Sequence, residues 1–283
     1  MITIKVKKPG EIAQIITNAG KKKANLSVSK MLILGFLAGA FVAMGGLLAV
    51  RLTAGLSGEI WGSIGSFIFA AVFPVGLIMI VLTGTELATG NMSIQPISYL
   101  NGDIELYSDY KNWIVVFIGN VLGSIFVAFF FAKVSGLLTS ETLSSGIVNI
   151  TNAKVSLSWA QAFWRGVGCN WLVGIAIWMS LATDNMMGKI LAIWWPIMAF
   201  VALGFEHSIA NTFFVPAGIF IGNGASYTGP ALEAGWSSFL MNNLVPVTLG
   251  NIVGAVVFIS LFGYFIYLRS NKDNSAKSQE FNM

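Results

Sequence analysis

Glu206, His207, Ser208 and Asn211 stand together in Gly204–Pro216, inside an otherwise apolar stretch from Leu191 to Ile221, and His207 is the only histidine in the chain. Charged groups in lipid cost about 2.5–3.5 kcal/mol each on insertion scales, so they face a bundle interior or a water-filled path. Imidazole in water titrates near pH 6.5, so a histidine on such a path can exchange a proton or a strong hydrogen bond with whatever passes it. A hydrolytic reading has little to stand on. No nucleophile or metal-binding constellation accompanies Glu206 and His207, and adjacent helical residues point to different faces. Neither a metal nor a cofactor is expected.

The elements holding these residues must be membrane helices. The chain of 283 residues is 55% hydrophobic and 10% charged, against roughly 25% charged in ordinary soluble domains, and several apolar runs exceed the ~20 residues a spanning helix needs. Cys169, the single cysteine, excludes an internal disulfide framework and reads as a small buried residue. The formal charge of +4 sits mostly at the two ends, which marks topology rather than nucleic-acid binding. The run after the basic N-terminus is too long for a cleaved signal peptide.

Residues 1–30 form a cytoplasmic N-terminal segment. Pro9 to Ala19 places Ile12, Ile15, Ile16 and Ala19 at amphipathic spacing, which predicts a helix on the membrane surface with Lys21, Lys22 and Lys23 near lipid phosphates. Residues 31–268 form a channel domain, with spans near 31–52, 61–100, 113–131, 159–181, 191–221 and 244–267. The second and fifth are too long for one straight helix and are broken at Thr83–Asn91 and at the Glu-His segment. A polar loop containing Lys154 joins the third span to the fourth. Seven Lys and Arg precede Met31, and the tail at 269–283 holds three, so both termini are cytoplasmic by the positive-inside rule.

The halves repeat. Gly84, Glu86 and Asn91 match Gly204, Glu206 and Asn211, displaced by 120 positions; Asn112, Gly119, Asn120 and Gly123 match Asn243, Gly250, Asn251 and Gly254, displaced by 131. Three spans per copy invert the second copy (31–132 against 159–268). Two facing broken helices bring half-helix ends to the midplane, where their N-termini attract an anion. A negative side chain would repel that anion, so Glu86 and Glu206 are read as capping half-helix N–H groups or holding the breaks. His207 has Leu87 at its twin position, which singles it out for the chemical role.

The strings Gly-Thr-Glu-Leu-Ala-Thr-Gly-Asn (84–91), Cys-Asn-Trp-Leu-Val (169–173), Gly-Phe-Glu-His-Ser-Ile-Ala-Asn (204–211) and Pro-Val-Thr-Leu-Gly-Asn (246–251) closely resemble the formate/nitrite transporter family. The resemblance implies an all-α, aquaporin-like six-helix membrane fold, a homopentamer with one pore per protomer, and passage of small monovalent anions. It makes His207 the central pore histidine, with Thr89 as its hydrogen-bonding partner. Phe73, Leu77, Leu87 and Phe200 become the apolar constrictions. Lys154 becomes the vestibule lysine, with Asn170 nearby, and Asn251 bonds near the pore. The N-terminal helix matches one that can close the cytoplasmic mouth at low pH. Ala88 departs from the family, where many members carry Phe, and this bears on the width of the first constriction.

The leading expectation is a channel for formate or nitrite in a bacterial inner membrane, with a proton as possible co-substrate, lipid as its surroundings and no nucleic-acid partner. The alternatives are the same fold passing hydrosulfide, lactate or acetate, and an aquaporin-like pore for neutral solutes. The latter lacks paired Asn-Pro-Ala motifs and a filter arginine in the breaks.

Overall fold

The computed structural model describes residues 6–56 and 58–269; residues 1–5 of the N-terminal segment and 270–283 of the expected tail, Lys272 among them, lie outside it. Among the described residues every regular element is helical. The order is α1 (Pro9–Ala24), α2 (Val28–Thr53), α3 (Ile64–Thr83), α4 (Ala88–Leu100), α5 (Leu106–Val134), α6 (Glu141–Val155), α7 (Trp159–Leu181), α8 (Met186–Ala202), α9 (Ser208–Gly222) and α10 (Trp236–Tyr267). Of these, α2, α3, α5 and α10 are long and apolar enough to cross a membrane, while α8 and α9 are shorter apolar helices. Helix α7 has the length, but Gln161, Arg165 and Asn170 interrupt its apolar run.

Both expected breaks are present. Helix α3 ends at Gly84 (φ 71°) and α8 is followed by Gly204 (φ 68°), the left-handed conformation that glycine adopts without a Cβ penalty. Leu87 and His207 are then extended and start α4 and α9. Pro74 divides α3 once more between Val72 and Val75.

Two glycine-lined crossings bind the long helices. A Cβ on Gly39 would be driven into the backbone of Asn120, and one on Gly123 into the Phe36 carbonyl, so α2 and α5 touch backbone to backbone. Gly250 and Gly254 meet the carbonyls of Phe163 and Val167 in the same way where α7 crosses α10. Close approach of this kind gains dispersion and packing in lipid, where no hydrophobic effect draws helices together.

Two expectations need correction. The segment holding Lys154 is not a loop: Glu141–Val155 is a helix that buries Ser144, Ile147, Val148, Thr151 and Val155. Hydroxyl residues at two of those positions blurred the helical stripe that their spacing describes. Two of the three lysines that end α1 also pair with the protein, while Lys22 stays exposed. Lys21 pairs with Asp103 at 2.7 Å and Lys23 with Glu86 at 2.8 Å, because α1 packs its Ile12, Ala13, Ile16 and Gly20 face onto the protein. At its other end the Lys7 ammonium reaches Asp184 at 2.7 Å and the Lys7 N–H reaches the Ala182 carbonyl at 2.9 Å. Helix α1 thus stretches from the first break to the α7–α8 connection.

Candidate functional site

The starts of α4 and α9 meet in the interior. His207 Nε2 lies 2.9 Å from Thr89 Oγ1. Its Nδ1 accepts the Ala210 backbone N–H at 3.1 Å, which places the ring proton on Nε2 and makes the imidazole the donor to the Thr89 hydroxyl. Both side chains are buried. Two helix N-termini therefore converge on one polar contact, and their partial positive charge favours an anion there.

A matched set of side chains holds each break. Asn91 Nδ2 donates to Glu86 Oε2 and to Asn112 Oδ1, both at 2.7 Å; Asn211 Nδ2 donates to Glu206 Oε2 at 2.6 Å and Asn243 Oδ1 at 2.7 Å. Asn112 and Asn243 in turn donate to the carbonyls of Lys23 and Lys154. The Lys154 ammonium reaches both Glu206 oxygens, at 2.9 and 3.1 Å, as Lys23 reaches Glu86. Each carboxylate is thereby neutralised and hydrogen-bonded, as a buried charge must be. The carboxylates do not cap the half-helices, a role that falls to asparagines: Asn120 Oδ1 accepts the Ala88 N–H and Asn251 Oδ1 the Ser208 N–H, both at 2.9 Å. From Nδ2 the same side chains donate to backbone carbonyls, Asn120 to those of Glu86 and Gly35 and Asn251 to those of Glu206 and Gly166.

Asn170, buried in α7, ties the two sets together by donating to the carbonyls of Thr89 at 3.1 Å and Asn251 at 2.8 Å. Its Oδ1 has no partner among the described residues, nor does Ser208 Oγ, which leaves acceptor capacity open for water near the contact.

A cavity of about 260 Å³ leads toward His207, lined among others by Phe69, Phe73, Lys154, Arg165, Phe200, Glu206 and Phe214. The Phe73 and Phe200 rings meet edge to face across its floor, 6.0 Å between centroids, and Phe200 stacks on His207 at 6.0 Å. Beyond them a chamber of about 20 Å³ is enclosed by Leu77, Leu87, Val173, Ile197 and His207, with the two phenylalanines. That volume admits about one water. A larger groove of about 700 Å³ between α4, α5 and α10 is almost wholly apolar, and Thr89, His207 and Lys154 are not among its lining residues; the smaller cavity is the candidate because the lysine, the second break and the histidine converge on it.

The structure thus gathers Thr89, His207, Phe73, Leu77, Leu87, Phe200, Asn170 and Asn251 around one interior line, with Lys154 at the head of its cavity. Lys23 was missed by sequence reasoning, although the displacement of 131 that relates Asn112 to Asn243 also relates it to Lys154. Among the described residues no group of three or more His, Cys, Asp or Glu side chains could hold a metal ion.

The profile described as Formate/nitrite transporter matches residues 10–265. A probable formate transporter of Methanothermobacter thermautotrophicus is 41% identical over 278 residues, covering 93% of this chain and 98% of the relative. A formate channel of Bacillus thuringiensis is 39% identical over 267 residues, covering 94% and 98%. Among solved structures, an FNT family ion channel superposes with a TM-score of 0.81 at 29% identity, covering 90% of this chain and 98% of the other. A pentameric formate channel with formate bound gives 0.75 at 31% identity, covering 86% and 98%. Matched nearly end to end in sequence and in fold, this chain belongs to the formate/nitrite transporter family.

Proposed function

We propose that this chain is a transmembrane channel for small monovalent anions, formate first among them, and that it works as a homopentamer with a pore in each protomer. One observation carries the reading: the Thr89–His207 contact sits where two helix N-termini converge, behind the Phe73–Phe200 pair and next to a cavity with Lys154 at its head. The formate bound to the pentameric structural relative supports both the anion and the assembly.

The architecture that serves this function is a pair of inverted three-span halves with both termini in the cytoplasm of a bacterial cell. Its support is the equivalence of the two hydrogen-bond sets, from Lys23, Glu86, Asn91, Asn112 and Asn120 to Lys154, Glu206, Asn211, Asn243 and Asn251. These residues serve as scaffold: they cancel the charge of the two glutamates and point the half-helix N-termini inward. Phe73, Phe200, Leu77 and Leu87 supply the apolar barriers, at which a bare anion would forfeit its hydration. His207 then offers its Nε2 proton to the passing anion as a hydrogen bond in place of Thr89, and a proton that travels with the anion would spare it the desolvation.

Flux into proteoliposomes of formate, nitrite, lactate and hydrosulfide tests the reading. Rapid formate and nitrite uptake with slower lactate uptake is expected; water flux without anion uptake would overturn it. His207→Asn should alter the dependence of weak-acid flux on pH, and an unchanged profile would remove the proton from the mechanism while leaving the pore. Native mass spectrometry of the purified protein should give five copies.

A further inference from the structure

The vestibule lysine is not a free charge. Lys154 lies at 2.9 and 3.1 Å from the two Glu206 oxygens and is largely buried with it. An ammonium and a carboxylate at that distance present a dipole to the cavity mouth, and a dipole's field decays faster with distance than that of a single charge. The cavity has one other cation on its wall, Arg165. Its side chain is exposed, and among the described residues its guanidinium makes no ion pair or hydrogen bond.

The backbone of Arg165 belongs to the break itself, since its carbonyl accepts the Glu206 N–H at 3.2 Å. In the other half the Glu86 N–H is accepted by the Leu34 carbonyl at 3.3 Å. The two halves therefore share every charge of the scaffold, Lys23 with Lys154 and Glu86 with Glu206, and differ at this position by a full unpaired positive charge. Nothing in the matched hydrogen-bond sets requires an arginine there, because only its main chain is used.

From these observations we infer that Arg165 is the residue that draws the anion into the cavity on the Lys154 side, and that Lys154 acts mainly by holding Glu206. The inference rests on the anion-channel reading above. An unpaired charge at the wall of a low-dielectric cleft raises the local concentration of counter-ions, and its effect is screened at high ionic strength. Capture from the opposite side has no such residue at the matching position, where Leu34 stands, so the effect is confined to one face of the membrane.

The test is formate uptake in oriented proteoliposomes at low and high salt, for wild type, Arg165→Gln and Arg165→Lys. With substrate on the Lys154 side, Arg165→Gln should raise the half-saturating formate concentration by about fivefold at low salt, leave the maximal rate unchanged and flatten the salt dependence. Arg165→Lys should restore most of the loss, because the charge carries the effect. With substrate on the other side the three proteins should behave alike. If wild type carries formate and Arg165→Gln keeps its half-saturation and salt dependence, or if the lysine variant is as impaired as the glutamine variant, the inference is wrong and the channel reading stands. If wild type carries none of the four anions named above, both fall together.

Discussion

Thr89 and His207 show how much a single contact fixes. Because the Ala210 N–H occupies Nδ1, the ring can only donate toward Thr89, and a hydroxyl is the group that can accept that proton and be displaced by an anion's oxygen. Thr89→Val keeps the shape and leaves a buried N–H unpaired, at a cost of about 1–3 kcal/mol. Formate flux through Thr89→Val should fall by about tenfold, the equivalent of roughly 1.4 kcal/mol, while Thr89→Ser stays near wild type; equal flux in all three would reduce the contact to packing. The two lysines make a second prediction. Lys23 and Lys154 each neutralise a glutamate that is 5% exposed, and removing one partner of a buried pair typically costs about 3–5 kcal/mol. Lys23→Met and Lys154→Met should therefore lower the thermal unfolding midpoint in detergent by similar amounts. A large loss in one and none in the other would break the equivalence of the two scaffolds. The fate of Lys154 was half legible in the sequence. The displacement that relates it to Lys23 was readable, but its bond to Glu206 depends on α6 being a helix, which Ser144 and Thr151 on the buried face obscured.

Among the elements, α1 is the one whose placement sequence reasoning got least right. Its amphipathic spacing was plain, and so was its start at Pro9, but spacing cannot tell a lipid surface from a protein surface as the partner of an apolar face. The partner is α4, whose residues from Ala88 to Ser98 are all buried. A pin at each end holds α1: Lys23 to Glu86 at one, Lys7 to Asp184 at the other. The hydrogen bond and charge of Lys7 hold the Asp184 carboxyl below its ordinary value. A carboxyl whose pKa is lower in the folded state contributes stability above its unfolded pKa and loses it as pH falls through the folded one. The Lys7 pin should thus be intact at neutral and mildly acid pH and fail only below about pH 4, the unperturbed aspartate range. Amide hydrogen exchange across Glu11–Ile16 checks this: Asp184→Asn should speed it at pH 7, and in wild type a shift from pH 7 to pH 5 should leave the degree of protection intact once the intrinsic rate is corrected. A release of α1 in wild type at pH 5 to 6 would locate the responsible titration elsewhere than at this pin.

Over the whole molecule, two structurally equivalent scaffolds enclose barriers that are not equivalent. The breaks, the crossing glycines and the asparagines were readable because a repeat displaces identical residue types by fixed intervals. The barrier residues were not, since Phe73, Leu77, Leu87 and Phe200 sit among apolar neighbours of the same kind and only the family likeness distinguished them. On the channel reading proposed above, their arrangement is what sets the selectivity. Proceeding from the Lys154 cavity, a solute meets two aromatic rings in edge-to-face contact and then a chamber of about 20 Å³ walled mainly by aliphatic side chains. Formate has only a hydrogen on its carboxyl carbon, whereas lactate carries a branched two-carbon substituent there. The ring pair therefore discriminates between them by the space its rings can yield, and a difference of one methylene in an apolar pocket already supports ratios of about 10-fold to 200-fold. Phe200→Ala removes one ring and leaves Phe73, His207 and both scaffolds in place, so the ratio of lactate to formate flux should rise by roughly tenfold. Leu87→Ala widens the chamber behind an intact ring pair and should raise that ratio less. Paired uptake measurements of the two acids in the same proteoliposomes decide the matter: an unchanged ratio in Phe200→Ala, or a larger rise in Leu87→Ala, would move the selecting barrier from the aromatic pair to the aliphatic chamber.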